Sequence, residues 1–236
     1  MATFEITEGP PGQGKSLYTA KRTWELCERN SRWHSRGHPK RVVWSNMKFS
    51  SEFEKAWEGF IFYWTDTNDL VKLRNVDIVW DEIATELDSR NWINLSVEMK
   101  RFLSQYRKRG VDIYANTQDF SMIDQRARLM ISRVSTLKKL CGSRDISTTK
   151  PNPKFLWGLI MSREVLNFRE TDPEKKKYAF VPAFFFIERR LVAIYDTTQD
   201  IPLGKPPLLK HHVVYCEKHK DHGGDGSCNF CQQRHS

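Results

Sequence analysis

The sequence lacks any apolar run long enough to cross a membrane. Its longest apolar stretches are residues 155–161 and 179–187, whereas a helical span needs about 20 residues. Residues 1–5 also lack the basic start and the apolar segment of a secretion signal. From these absences we expect a protein that has no transmembrane segment and acts in the cytoplasm.

Cysteine is scarce, with 5 residues among 236. Cys27 and Cys141 stand alone in the sequence, which is typical of a reducing compartment where structural disulfides are rare. The other three cysteines lie close together near residue 236. The sequence contains no internal repeat, so a solenoid is not expected.

What the sequence does contain points to a folded domain with an anionic partner. The chain is 39% hydrophobic and has 8 Trp and 14 Phe, enough for one substantial core with a small appendage. Its formal net charge is +9. Such an excess favours nucleic acid as a partner, although charge alone also serves solubility.

The most informative segment is residues 9–16, which match the complete P-loop pattern G-x-x-x-x-G-K-[ST]. Glycines let the backbone wrap around phosphates, so that successive N–H groups point at the anion. Lys15 reaches the β- and γ-phosphates, and Ser16 offers a hydroxyl to Mg²⁺. A chance glycine-rich turn is disfavoured by the strand pattern before it and the helix pattern after it. The predicted ATP-binding residues are Gly9, Pro10, Pro11, Gly12, Gln13, Gly14, Lys15, Ser16 and Leu17.

An acidic pair supplies what a P-loop needs for hydrolysis. Residues 76–80 predict a buried strand that ends in Asp81 and Glu82, beside the P-loop in a parallel sheet. Asp81 would hold Mg²⁺, and Glu82 would orient and deprotonate the attacking water. The alternative is an acidic cap on the next helix. After the next predicted strand, 112–116, Gln118 is placed to sense the γ-phosphate and the water.

The order of predicted elements gives the fold class. Strands and helices alternate up to about residue 134, which predicts a parallel sheet covered on both faces. Residues 135–141, 156–168, 178–188 and 191–195 predict further strands. We therefore expect an α/β P-loop NTPase with a parallel sheet core, a β-rich extension and a small C-terminal tail.

Several motifs in order resemble one family. They are the P-loop 9–17, Asp81-Glu82, the series 106–113, Thr117-Gln118 and the series 123–128. The set is similar to the zonular occludens toxin (Zot) family, which includes the assembly ATPases of filamentous phages and belongs to the FtsK–HerA branch of P-loop motors. The resemblance covers residues 1–198. It implies a ring-forming homo-oligomeric ATPase that acts on phage DNA or on virion assembly, with capsid or assembly proteins as possible further partners.

The resemblance also implies an arginine that reaches a neighbouring subunit's ATP. Arg107 and Arg128 occupy the family's arginine positions. Arg128 is favoured because it follows the strand that carries Gln118. Both arginines have the alternative of contacting DNA or lying on the surface.

The tail beyond the resemblance has the spacing of a zinc site. Its pattern is C-x₂-H, eight residues, then C-x₂-C, which suits tetrahedral zinc with mixed sulfur and nitrogen ligands. The alternative is a polar tail with incidental cysteines. The predicted ligands are Cys216, His219, Cys228 and Cys231, with His222 as a substitute for His219.

Together these patterns predict three regions. Residues 1–198 form the Zot-like ATPase domain, with a core of 1–134 and an extension of 135–198; residues 199–210 form a proline-containing linker; residues 211–236 form the tail. The predicted function is an ATP-hydrolysing motor of phage morphogenesis, using ATP, Mg²⁺ and Zn²⁺. The alternative is a nucleotide-dependent DNA- or protein-binding assembly module. Filamentous-phage members of the family carry a membrane span that this sequence lacks, which favours DNA packaging over extrusion. We expect the protein in the cytoplasm of a bacterial host, or associated with the virion or the membrane through partners.

Overall fold

An eight-stranded mixed sheet is the centre of the protein. The computed structural model describes residues 2–142, 158–179, 182–186 and 194–195. The strands are β1 Phe4–Glu8, β2 Val43–Ser45, β3 Ile61–Tyr63, β4 Asp77–Trp80, β5 Asp112–Thr117, β6 Arg133–Gly142, β7 Gly158–Val165 and β8 Ala183–Phe186. Their order is β3-β2-β4-β5-β1-β6-β7-β8. The strands from β3 to β6 run parallel, and β7 and β8 add to them antiparallel.

One long helix and several short ones connect these strands. They are α1 Lys15–His34, α2 Ser51–Ala56, α3 Thr67–Leu70, α4 Ala84–Leu87, α5 Ser89–Asn94, α6 Val97–Gln105 and α7 Gln125–Arg128. Side-chain oxygens of Asp88, Ser96 and Asp124 cap the starts of α5, α6 and α7 by accepting backbone N–H groups. After α6 the chain forms a 3₁₀ turn over Tyr106–Arg109, and this helical segment ends at Gly110. The φ of Gly110 is 67°, in the left-handed region that glycine adopts freely.

Hydrophobic side chains cover both faces of the sheet, as the strand pattern predicts. Along β4, Ile78 and Trp80 belong to the larger core, while Val79 belongs to the core beneath α1. This alternation follows from the two-residue period of a strand. The larger core packs against α6, and the 20-residue helix α1 closes the other face. The predicted α/β fold with two covered faces is confirmed.

Several details differ from the sequence predictions. The strand expected over 156–168 ends at Val165 and is followed by a turn, and the described strand within 178–188 is limited to Ala183–Phe186. The strand before Asp81 does not lie beside the P-loop strand, because β5 pairs with both β4 and β1 and separates them. Local sequence patterns give strand positions but not strand order, so this insertion could not be foreseen. The expected strand 191–195 is absent at its described residues, since Ile194 and Tyr195 lie outside the sheet and Ile194 packs into the core beneath α1.

The described part of the predicted extension continues the core sheet. Strand β6 pairs in parallel with β1, and β7 and β8 add to its far side. The predicted boundary between residues 134 and 135 therefore falls inside β6. The predicted linker 199–210 and the tail 211–236 lie outside the described residues.

Candidate functional site

The P-loop connects β1 to α1 at the carboxyl ends of the parallel strands. Gly12 has φ of 77° and Gly14 has φ of 85°. Residues with a side chain rarely adopt this left-handed region. The glycines of the motif therefore allow backbone conformations that other residues would adopt only with strain. Helix α1 begins at Lys15 directly after the loop, and its free N–H groups and dipole favour an anion there.

Strands β6 and β7 form a wall behind this loop. The Gln13 side-chain oxygen accepts a hydrogen bond from the Lys139 backbone N–H at 2.8 Å. A Cβ at Gly9 would lie 3.1 Å from the Leu137 carbonyl oxygen, and one at Gly14 would lie 2.2 Å from Ile160 Cδ1. The glycines therefore also give the loop the room to pack this closely against β6 and β7.

Lys15 lies in the first turn of α1 and faces the loop. Its Nζ donates to the Gly9 carbonyl oxygen at 2.7 Å and to the Pro10 carbonyl oxygen at 3.4 Å. Partial burial lowers the pKa of Lys15 below its usual value, and the negative charges of Glu82 and Asp81 oppose that shift. Asn116 links the acidic pair to the same helix, since its Nδ2 donates to Asp81 Oδ1 and to Thr19 Oγ1, one turn after Lys15.

The Asp81–Glu82 pair follows β4 in an unusual backbone conformation. Glu82 has φ of 52°, a left-handed angle that is uncommon for a residue with a side chain. Such a residue persists only where its surroundings hold it, and these positions concentrate at functional sites. The Glu82 carbonyl oxygen accepts from Thr85 N at 3.0 Å, which closes the turn into α4.

Asn116 of β5 holds this turn from the neighbouring strand. Its side-chain oxygen accepts from Glu82 N at 2.8 Å, while its Nδ2 donates to Asp81 Oδ1 at 2.5 Å and to Thr19 Oγ1 at 2.9 Å. Its backbone oxygen accepts from Ile83 N at 2.9 Å. Asn116 is only 1% exposed, so its own atoms in these bonds are shielded from bulk water.

A second carboxamide supports the same turn from β2. Asn46 accepts a hydrogen bond from Asp81 N at 2.7 Å and donates to the Asp81 carbonyl oxygen at 3.0 Å. The sequence predictions missed Asn46 and Asn116, which fix the geometry of the acidic pair. The signal available for Asn116 was a polar residue within the apolar strand 112–116; Asn46 carried none, because its role depends on strand order.

Gln118 and Glu8 lie on either side of the junction between β5 and the P-loop. The Gly9 N–H donates to the Thr117 carbonyl oxygen at 3.3 Å, which ties the start of the loop to the end of β5. Gln118 follows directly and is exposed. The buried Glu8 carboxylate accepts from Thr136 Oγ1 at 2.9 Å and from Phe120 N at 3.3 Å. Glu8 thereby anchors the segment that presents Gln118.

The side chains at this edge suit Mg²⁺. Hydroxyl and carboxylate oxygens are the ligands that this ion prefers, and Ser16 and Asp81 supply them. Burial raises the pKa of Asp81, while the Asn116 hydrogen bond and the Lys15 charge lower it in part. Among the described residues only Asn116 donates to the Asp81 carboxylate. A bound dication would complete the stabilisation of this partly buried charge.

The two candidate arginines lie in different places. Arg128 ends α7 on the connection from β5 to β6, with its guanidinium 5.8 Å from the centre of the Phe120 ring. Arg107 lies in the 3₁₀ turn before β5, at the amino end of the strand. Because a six-residue strand is about 17 Å long, Arg107 is far from the P-loop of its own chain. The finger role of either arginine stays a prediction.

The zinc prediction falls on residues 211–236, outside the described part, and stays a prediction. Within the described ranges there is no cluster of three or more His, Cys, Asp or Glu side chains that could hold a metal. No helix in those ranges is both long enough and apolar enough to span a bilayer.

Comparisons with known proteins give structural likenesses only. No family model and no curated protein matches the sequence. The N-terminal domain of zonular occludens toxin from Neisseria meningitidis is 16% identical, with a TM-score of 0.47 over 83% of this chain and 100% of that chain. The genome packaging NTPase of Sulfolobus turreted icosahedral virus 2, in complex with ATP-γS, is 11% identical, with a TM-score of 0.41 over 75% of this chain and 95% of that one.

A KaiC-like protein from Pyrococcus horikoshii is 13% identical, with a TM-score of 0.40 over 75% of this chain and 84% of that one. At such identities and scores these likenesses say what the chain is similar to and no more. The resemblance to the Zot family predicted from the sequence is confirmed as a resemblance, since a Zot domain is among these structures. The fold class itself follows from the chain's own sheet order and P-loop.

Proposed function

We propose that this protein is a P-loop ATPase of phage morphogenesis that couples ATP hydrolysis to the movement of DNA. The observation that carries the hydrolytic part is the Asp81–Glu82 turn, held in a left-handed conformation by Asn116. Strained backbone positions concentrate at functional sites, so the conformation of Glu82 supports a role for this acid in the reaction. The negative charges of Asp81 and Glu82 act on Lys15, which supports the proposal that the acidic pair lies near the bound phosphates.

Each side chain then has a distinct role. Lys15 and the N–H groups of the P-loop bind the β- and γ-phosphates and stabilise the charge that grows on them in the transition state. Ser16 and Asp81 would hold Mg²⁺, which would supply positive charge to offset the negative charge of the phosphates. Glu82 accepts a proton from the attacking water, and Gln118 orients that water from the neighbouring strand.

The coupling to DNA is supported by charge and by the Zot-like series of motifs. A net charge of +9 favours a polyanion, and the resemblance implies a ring of identical subunits that handles phage DNA. In such a ring we propose Arg128 as the residue that reaches the neighbouring ATP, because of its position in the Zot-like series.

The test is ATP turnover by the full chain with Mg²⁺, measured with and without DNA. Wild type should hydrolyse ATP and be stimulated by DNA. Lys15→Ala should lose turnover by roughly 10²–10³-fold, because the phosphates lose their charged partner. Glu82→Gln should keep ATP binding and lose turnover, since the shape remains and the base is gone.

Glu86→Gln is the matched control, since Glu86 is a carboxylate of α4 that bonds Trp80 and Thr85. Normal turnover by Glu82→Gln would overturn its assignment as the base. Wild type that binds ATP and DNA but does not hydrolyse ATP would instead make the protein a nucleotide-dependent binding module.

A further inference from the structure

A cleft opens at the amino ends of the strands, on the opposite edge from the P-loop. It has a volume of about 410 Å³, and we call it the amino-edge cleft. Residues from α1, the segment after it and the 3₁₀ turn before β5 enclose it. Those that matter here are Arg29, Trp33, His38, Arg41, Arg107 and Asp112.

The floor of the cleft is rigid. Arg41 donates to Asp77 Oδ1, to Asp112 Oδ2 and to the Val76 carbonyl oxygen, each at 2.8 Å. Arg29 donates to the other Asp77 oxygen at 2.7 Å. These bonds join α1, β2, β4 and β5, so the cleft is preformed and a ligand would not have to order it.

Trp33 supplies a flat apolar surface at the rim. It lies in the last turn of α1 and is 51% exposed. The His38 ring packs near it, with ring centres 5.6 Å apart, and His38 N donates to the Trp33 carbonyl oxygen at 3.2 Å. The indole is therefore held from one side and remains accessible, which is how proteins present an aromatic ring to an unpaired base.

Arg107 supplies the charge. Arg29 and Arg41 are already paired with Asp77 and Asp112, whereas no described carboxylate pairs with Arg107. Its Nε donates to Tyr106 Oη at 2.9 Å, which fixes the guanidinium and leaves its terminal nitrogens to other partners. Two terminal N–H groups in a plane match the geometry of a phosphate.

The same arginine borders a second depression of about 630 Å³. This open surface contains Arg169, Ser132 and the carboxylate Glu170, and it shares Arg107 but not Trp33 with the amino-edge cleft. An extended chain could therefore run from the indole, over Arg107, to Arg169. The alternation of an aromatic surface and cations fits a strand with one base and successive phosphates.

We propose that the amino-edge cleft binds single-stranded DNA, with a base stacked on Trp33 and phosphates on Arg107 and Arg169. Single-stranded rather than duplex DNA is indicated because stacking on an indole requires an unpaired base. The proposal rests on the proposed function only in taking nucleic acid as the partner. It gives Arg107 a role in binding DNA and leaves the finger role to Arg128.

The test measures binding of a fluorescent oligothymidylate to the full chain, without nucleotide, by anisotropy over a range of salt concentrations. Trp33→Ala should raise the dissociation constant about 5- to 100-fold, the typical cost of losing one stacked base. Trp33→Phe should recover most of the affinity, because it keeps an aromatic face. Arg107→Ala should lower the salt dependence by about 0.7 in log–log slope, the value for one phosphate contact to a single strand.

Arg101→Ala is the matched control, because Arg101 is an exposed arginine of α6 that does not line the cleft; it should bind like wild type. Equal affinity of all variants, in a protein whose ATPase is stimulated by DNA, would overturn the cleft and leave the proposed function standing. Wild type that hydrolyses ATP but binds neither DNA nor RNA would overturn the nucleic-acid partner itself.

Two further outcomes would overturn parts of the proposal. Duplex DNA that competes as well as the single strand would exclude stacking on Trp33 as the basis of binding. Loss of DNA-independent ATP turnover in Arg107→Ala would place Arg107 at a neighbour's ATP site. An oligouridylate of the same length that binds equally well supports the shared chemistry of base stacking and phosphate contact.

Discussion

The two edges of the sheet treat the same kind of charge in opposite ways. Strand β4 begins with Asp77 and is followed by Asp81, so one strand carries an acid at each end. At the amino edge, Asp77 is 0% exposed and is bound by two arginines and Asn30. At the carboxyl edge, Asp81 has the carboxamide of Asn116 as its described donor, and burial raises its pKa.

The difference separates an acid whose charge is balanced within the fold from one whose charge is not, and the second condition fits the Mg²⁺ ligand that we propose Asp81 to be. Asp77 has its charge balanced within the fold, so it contributes to holding α1, β2 and β4 together. Asp81 lies where its charge is poorly compensated until something positive binds. A carboxylate whose charge is not compensated lowers the stability of the folded protein but favours the binding of a cation. Such a loss of stability in return for function is common at active sites.

The largest effect should come from breaking the amino edge. Arg41→Ala should lower the free energy of unfolding by about 3 kcal/mol, because Asp77 and Asp112 lose a buried partner. This value is at the lower end of the roughly 3–5 kcal/mol that breaking a buried ion pair costs, because Arg29 and Asn30 still bind Asp77 in the variant. Urea unfolding followed by circular dichroism measures it.

Arg32→Ala is the control for that prediction. Arg32 pairs with Glu28 along α1 and is 63% exposed, so its removal should cost less than about 1 kcal/mol. Equal losses for the two variants would mean that the Arg41 network is not a stability device. Loss of ATP turnover in folded Arg41→Ala would mean that the two edges are coupled.

A smaller effect, on catalysis, should come from the carboxyl edge. Asn116→Ala should lower kcat roughly 10- to 100-fold, because Asp81 and Glu82 lose the side chain that positions them. Single-turnover ATP hydrolysis measures the chemical step directly. Asn30→Ala is the matched control, since Asn30 is also a buried carboxamide that binds an acid at the end of β4, but at the amino edge.

Both variants should lose about 1–3 kcal/mol of stability, because each leaves buried polar groups without a partner. Only Asn116→Ala should lose turnover per folded molecule. Turnover lost in both variants, or in neither, would remove the distinction between the two edges.

The sequence locates the P-loop and the acidic pair, and it misses the residues that support them. The structure brings the P-loop, Asp81 and Glu82 to the same edge of the sheet, which local motifs can indicate because each motif demands particular residue types at a fixed spacing. The catalytic roles of these residues stay predictions. Asn46 and Asn116 were missed because their partners lie 35 and 34–35 residues away, and because these contacts depend on β2 and β5 lying on either side of β4.

The amino edge was harder still. Arg29 and Arg41 lie at the two ends of a segment rich in basic residues, and nothing in that segment indicates that both bind Asp77, across 48 and 36 residues. Composition gave the charge, and only the fold reveals which cations are already paired. The packing of β6 and β7 behind the P-loop was likewise not predictable from local sequence. Ile160 reaches Gly14 only because β7 pairs antiparallel with β6.

The smallest predicted effect concerns the stability cost of Asp81 itself. Because its pKa is raised in the folded protein, the folded state binds this proton more tightly than the unfolded chain does. Ionisation of Asp81 therefore costs stability, and that cost is present above its folded pKa and fades as the pH falls through that pKa toward the usual 3.8. Asp81→Asn keeps an oxygen that can accept from Asn116, so at neutral pH it should raise the free energy of unfolding by up to about 1 kcal/mol.

The same substitution should abolish Mg²⁺-dependent turnover, since the carboxylate is gone. Urea unfolding of wild type and Asp81→Asn at neutral pH and near pH 4 measures the pH dependence, and Asp77→Asn at the amino edge is the control. Asp77→Asn should destabilise at neutral pH, because two arginines lose a charged partner. Opposite signs for two Asp→Asn changes flanking one strand would establish the contrast between the edges, whereas destabilisation by both would show that Asp81 is as well compensated as Asp77.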